Sequence, residues 1–218
     1  VIKKITDIDN LIGQRLMKNV KGVMVGIILF VLVAISAPIF MQPDVGAKVA
    51  CPAGLIESAA RQDIEYLQRG YAKATDLLGI TEGESFNEGR ELYRTIFTAD
   101  AKFSVSGEGA PEMSAVGPDA WADIVAETLG PMGPTQHLTG TQRVTDLEVQ
   151  ISADCNVTGG SAGLESYVQA WHDLPNNQIW MFMGSYVDEV VFVPGKGWQI
   201  SKMDLVRVTT ETRNKLSD

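Results

Sequence analysis

The chain has 218 residues, 45% of them apolar, with 18 basic and 27 acidic side chains and a net charge of -9. That length fits one ordinary domain plus an appendage, and the composition excludes collagen-like, low-complexity and repeat architectures. The acidic balance argues against a general nucleic-acid binder, which needs a basic face to displace counterions from phosphates.

The charge is unevenly spread. Residues 1–43 hold 5 basic and 2 acidic side chains, which leaves 13 basic and 25 acidic for the rest. The basic end precedes an apolar run from Gly22 to Met41 that contains no ionisable residue. A run of that length spans a bilayer as a helix at about 1.5 Å per residue. The basic flank places residues 1–21 in the cytoplasm and everything after Met41 on the extracytoplasmic side, periplasmic in a bacterium. Two readings of the run stay open: an uncleaved anchor, which its long core favours, and a cleaved signal with Val45-Gly46-Ala47 as the small-residue site. Either way the domain is expected to leave the cytoplasm.

Residues 42–53 read as a linker. They contain Cys51, and Cys155 lies far downstream. An oxidising compartment would allow the two to pair; two unpaired thiols are the other reading.

A helix is expected from about Leu55 to Leu78, ended by Gly79. Leu55, Ala59, Ile64, Leu67, Tyr71, Ala74 and Leu78 recur at helical spacing. A polar loop, 80–87, precedes a second helix over 88–97, then a short strand over 101–105. Residues 107–117 read as loop. A third helix opens at Pro118-Asp119 and stops at Gly130-Pro131. From there the period changes to two, with strands over 136–153, 162–173, 179–192 and 198–209. The last two are joined by a tight turn at Pro194-Gly195-Lys196-Gly197. Helices followed by long strands predict an α+β domain over 54–210, with helices packed on one face of a curved, mostly antiparallel sheet of four to six strands. Residues 211–218 read as a tail. A pocket between the layers is the default ligand site of such an architecture.

Five segments fall in a familiar order: Arg69–Asp76 on the first helix, Ile96–Phe103 at a helix-to-strand junction, Pro134–Thr139 leading a strand, Ser166–His172, and Gly184–Asp188 with Gly197–Ile200. Together they resemble the SnoaL-like branch of the nuclear-transport-factor-2-like superfamily, which includes dehydratases and ketosteroid isomerase. The resemblance spans about 55–207 and implies a cone-shaped, cystatin-like fold and a homodimer. It also implies a lyase or isomerase for a hydrophobic, oxygenated ring compound, steroid- or polyketide-like, working without a cofactor. On the matching positions Tyr71, Asp76 and His137 would be catalytic: His137 as acid or base, Asp76 as its partner, and Tyr71 as hydrogen-bond donor to the substrate oxygen. An imidazole suits both halves of a syn-elimination, removal of a proton beside a carbonyl and protonation of the departing hydroxyl.

Each residue also has a plainer reading. Tyr71 lies on the apolar stripe of its helix and would pack there. Asp76, about 140° further round, reads equally as a solvated residue, although an acid near a helix C-terminus opposes the macrodipole. His137 precedes alternating Thr139, Thr141 and Arg143, a polar face that suits a wet pocket. His172 ends its strand beside Asp173 and Pro175, which favours the surface. Asp100, Tyr186 and Asp188 read as structural; Trp171, Trp180, Met181, Phe182 and Met183 read as core or pocket wall. Asn156-Val157-Thr158 matches a glycosylation sequon but reads better as a turn. With only 2 histidines and 2 cysteines, widely separated, zinc-ligand spacing is absent, as is any phosphate loop or nucleotide fingerprint. A non-catalytic module, binding an apolar ligand or serving as a subunit of a membrane complex, stands as the alternative function.

Overall fold

A computed structural model describes residues 50–215 of the chain. The expected cytoplasmic segment, the membrane span and most of the linker lie outside those residues. No helix within them is long and apolar enough to cross a membrane.

The first helix, α1, runs Ala53–Leu78. Its buried stripe is Ala60, Ile64, Leu67, Gln68, Tyr71, Ala74, Thr75 and Leu78. The two most N-terminal apolar positions of the expected stripe miss it: Ala59 is exposed and Leu55 is 71% exposed. α1 opens at Pro52 with no capping side chain; its start is tied instead by a disulfide between Cys51 and Cys155, whose Cα atoms are 5.3 Å apart. The pairing left open by the sequence is therefore made.

Helix α2, Gly83–Ile96, begins five residues before the expected start. Phe86, packed against the core with the Arg90 guanidinium 4.9 Å above its ring, gives the extra turn an apolar foothold. The chain turns at once into strand β1, Phe97–Ser106. After a loop comes a short strand, β2, Ser114–Val116, where loop alone was expected. Helix α3, Pro118–Leu129, has Pro at its start and Gly130 as its cap.

Four long strands complete the domain: β3 (Thr135–Ile151), β4 (Val157–Leu174), β5 (Gln178–Val193) and β6 (Gly197–Asn214). β6 continues past the expected boundary at 210, because Ile179 and Gln178 pair with Arg213 and Asn214. The β5–β6 turn places Gly195 at φ +78° and Gly197 at +91°, conformations that cost other residues strain. The sheet has the order β2-β1-β6-β5-β4-β3. Every pairing is antiparallel except β1 with β6. Register shifts after Gly140 and Thr145 on β3, and at Ser201 and Val208 on β6, insert unpaired residues that bend the strands. The three helices cover the resulting inner face.

Strand alternation sorts the side chains. On β4, Ala162, Leu164, Val168 and Ala170 are buried under the helices, while Tyr167 on the other face is 62% exposed. Between the layers an aromatic column forms the core. Tyr71 stacks on Tyr93 at 5.3 Å, Phe97 meets both rings edge-on, and Phe103 stacks on Trp121 at 5.1 Å. Truncating one such ring to alanine costs about 3–5 kcal/mol.

Candidate active site

A cavity of about 280 Å³ opens between helices and sheet. Tyr71 and Thr75 of α1 with Trp121, Val125 and Leu129 of α3 form its helical wall. The sheet contributes His137, Ala170, His172, Trp180, Phe182 and Tyr186. The register explains this grouping: His137 pairs with Ala170, Ala170 with Phe182, and His172 with Trp180, so these residues occupy adjacent rows of one face.

The structure brings His137 and Asp76 together. His137 Nδ1 lies 2.7 Å from Asp76 Oδ1. The same carboxylate accepts the His137 backbone N–H at 3.1 Å and the Thr135 hydroxyl at 3.2 Å. Three donors from the start of β3 thus converge on one acid and offset its unfavourable place near a helix C-terminus. Because a carboxylate only accepts, Nδ1 carries the proton. Nε2 is then the ring nitrogen left for the cavity, and in the neutral ring it is a base. His137 lines the cavity and Asp76 does not, so the acid stands behind the ring.

His172 is not on the surface. Its residue is 2% exposed and its ring lines the cavity, 5.4 Å from the His137 ring and perpendicular to it. β4 keeps its phase to its end at Leu174, and every even-numbered position from Ala162 to His172 is buried. That phase, Ala162 through Ala170, was the signal that points to His172. Nδ1 faces the Trp180 carbonyl at 3.3 Å and therefore holds its proton there. Burial, reinforced by the nearby His137, lowers the His172 pKa to about 4. His172 is thus a neutral acceptor at neutral pH, its Nε2 available to a hydroxyl.

Tyr71 is both core and wall: 2% exposed and lining the cavity. Its hydroxyl accepts from Trp121 Nε1 at 3.3 Å. Thr75 donates to the Tyr71 carbonyl at 2.8 Å and lies 2.7 Å from the Tyr93 hydroxyl. Burial pushes the Tyr71 pKa up, so it remains a neutral phenol and a hydrogen-bond donor.

Tyr186, expected to be structural, also lines the cavity, 5.0 Å from the Tyr71 ring. Two residues on, Asp188 is buried with Gln68 Nε2 as its donor, and its Oδ1 has no partner. Burial raises its pKa well above the usual carboxylate range. Asp100 is exposed on β1. The aromatic and methionine cluster is divided by strand alternation. Trp180 and Phe182 wall the cavity, and Trp171, paired with Met181, points to the opposite face. Among the described residues no group of three or more His, Cys, Asp or Glu is placed to hold a metal ion.

Solved structures share this fold. A scytalone dehydratase-like protein of Novosphingobium aromaticivorans superposes with a TM-score of 0.51 at 22% identity, over 76% of this chain and 96% of the other. A type 2 hexachlorocyclohexane dehydrochlorinase gives 0.52 at 21% identity, over 76% and 95%. A nuclear-transport-factor-2-like protein with a cystatin-like fold, also from Novosphingobium aromaticivorans, gives 0.50 at 17% identity, over 72% and 86%. These identities establish the fold alone. No curated protein sequence matches the chain. Residues 57–204, nearly all of the domain just described, match the model of the SnoaL-like domain, and the chain belongs to that family.

Proposed function

We propose that this protein is a lyase, a dehydratase in the first instance, or an isomerase, acting on a hydrophobic ring compound that carries a carbonyl and a hydroxyl. The observation that carries the reading is the His137 Nδ1 contact with Asp76 at 2.7 Å. It commits one ring nitrogen and leaves the other as a base facing an aromatic-lined cavity.

In this reading His137 Nε2 takes a proton from the carbon next to the substrate carbonyl. The C–H electron pair becomes the new C=C bond as the C–O bond at the neighbouring carbon breaks. The imidazolium returns its proton to the departing oxygen, and water leaves. Tyr71 donates to the carbonyl oxygen, where negative charge builds. Asp76 holds the tautomer and offsets the charge that the ring takes up. His172 accepts from a substrate hydroxyl and orients it. Returning the proton to a different carbon would make the same site an isomerase. The scytalone dehydratase-like and dehydrochlorinase neighbours support an elimination.

A panel of β-hydroxy ketones on fused-ring skeletons, followed by the ultraviolet absorbance of the conjugated enone, tests this. His137→Gln should lower turnover by roughly 10²–10⁴-fold. Full turnover in that variant would remove His137 from the mechanism, and a wild type that converts no member would leave a binding module as the function.

We also propose that residues 22–41 hold the domain on the far side of a membrane and that two copies pair through the outer sheet face. Exposed Leu138, Tyr167 and Val187 on that face support the pairing. A reporter fused after Asp218 that is active in the cytoplasm would reject the topology. A monomeric mass for the full chain would reject the dimer.

A further inference from the structure

Acid-base chemistry at His137 leaves one cavity residue unexplained. Arg207 lines the cavity from β6, opposite Gly184 of β5. Its guanidinium donates to two neutral oxygens, the Glu108 carbonyl and the Thr210 hydroxyl, the latter at 3.1 Å. Among the described residues no carboxylate forms an ion pair with it. No Asp or Glu lines the cavity at all. A permanent cation thus faces a wall that includes Met113, Phe182 and Leu205 without a counter-charge.

Arg207 is half-buried, so solvent screens part of its charge, but the apolar walls beside it offer nothing to balance the rest. Holding the loop after β1 does not require it. Gly107 approaches so closely that a Cβ there would stand 2.4 Å from the Arg207 carbonyl oxygen. The loop therefore rests on the Arg207 backbone, and pairing of Lys102 with Val116 secures its base. A neutral amide could donate to the Glu108 carbonyl equally well. What only arginine supplies is a planar fork of about five donors, of which two are occupied here.

We propose that Arg207 binds the carboxylate of the ligand, whose ring system lies along Phe182 and Trp180 toward His137. The positions set the ligand's length. β3 and β6 are three strands apart in the sheet, about 14 Å at ~4.8 Å per strand. The Arg207 and His137 side chains both reach into that span, so a ligand of about two rings bridges what remains between them. As a statement about a substrate the proposal rests on the reading of the cavity given above; as a statement about binding it stands alone.

The test compares biphenyl-4-carboxylate with its methyl ester, using the full chain and the fluorescence of cavity residues Trp121 and Trp180, with calorimetry as a second readout. The wild type should bind the acid at least ~10-fold more tightly than the ester, and added salt should erode that preference. Arg207→Gln should reduce the ratio to about 1 while ester affinity stays within ~3-fold. Arg207→Lys should retain part of the preference, and it carries the test if circular dichroism shows the glutamine variant unfolded. His137→Gln should keep the full preference. An ester bound as tightly as the acid, no acid binding at millimolar concentration, or an unchanged ratio in Arg207→Gln overturns the proposal. Loss of turnover without loss of acid preference, or the reverse, separates failure of the catalytic reading from failure of this one.

Discussion

His137 and His172 stand perpendicular in the same cavity, ring centroids 5.4 Å apart, yet they have different roles to play. One is backed by a carboxylate; the other is backed by a backbone carbonyl and buried. The difference arises one row apart on a single sheet face, and in the proposed reaction it gives the first ring the proton transfer and the second the part of a fixed acceptor.

His172 should make the fold acid-sensitive. Its pKa falls from 6.5 to about 4 on folding, so between those values the unfolded chain binds a proton that the folded one refuses. Stability is then lost as pH drops below 6.5, by up to about 3 kcal/mol near pH 4 at ~1.4 kcal/mol per pH unit. Denaturant midpoints of wild type and His172→Gln, measured from pH 7 to 4, should differ in slope. Parallel curves would refute the assignment.

Asp188 should act with the opposite sign. Its raised pKa means that the folded state prefers the neutral acid, so at neutral pH and above its ionisation opposes folding. Asp188→Asn removes that cost while keeping an acceptor for Gln68. The variant should melt above the wild type at pH 8, and the gap should narrow as pH falls. A lower Tm at pH 8 would mean that the carboxylate is stabilising after all.

Asp76→Asn should preserve shape and lose turnover. An amide facing Nδ1 favours the other tautomer, with the proton on Nε2, so the base is no longer presented to the cavity. Turnover is expected to fall by roughly 10²–10⁴-fold with little change in KM. Asp76→Ala should in addition destabilise the fold by about 1–3 kcal/mol, because the His137 N–H loses its acceptor. Equal kcat for Asp76→Asn and wild type would remove Asp76 from the mechanism.

The Cys51–Cys155 bridge closes a loop with a sequence separation of 104. In the chain-entropy description a loop of that size is worth about 4–5 kcal/mol. The double serine variant should therefore melt roughly 10–20 °C lower, and reductant should shift the wild type by a similar amount. A shift under a few degrees would show that α1 holds its place without the bridge.

Much of this was legible in the chain because its cause is local. The α1 stripe from Ile64 to Leu78, the Pro118 start and Gly130 stop of α3, and the glycines of the β5–β6 turn follow from side-chain spacing and backbone freedom within a few residues. The pairing of Asp76 with His137 entered through a family pattern on five segments. Their donor geometry, in which the His137 backbone and Thr135 share the acid, did not. Other features depend on which segments meet. The β1–β6 parallel pairing joins strands about a hundred residues apart, and no local period encodes it. His172 faces inward because β4 keeps its phase to the end once β3 and β5 flank it. The low pKa of His172, the raised pKa of Asp188 and the lack of a carboxylate partner for Arg207 are set by neighbours from other elements. Desolvation and Coulomb interactions depend on distance in space, and only the folded chain determines those distances.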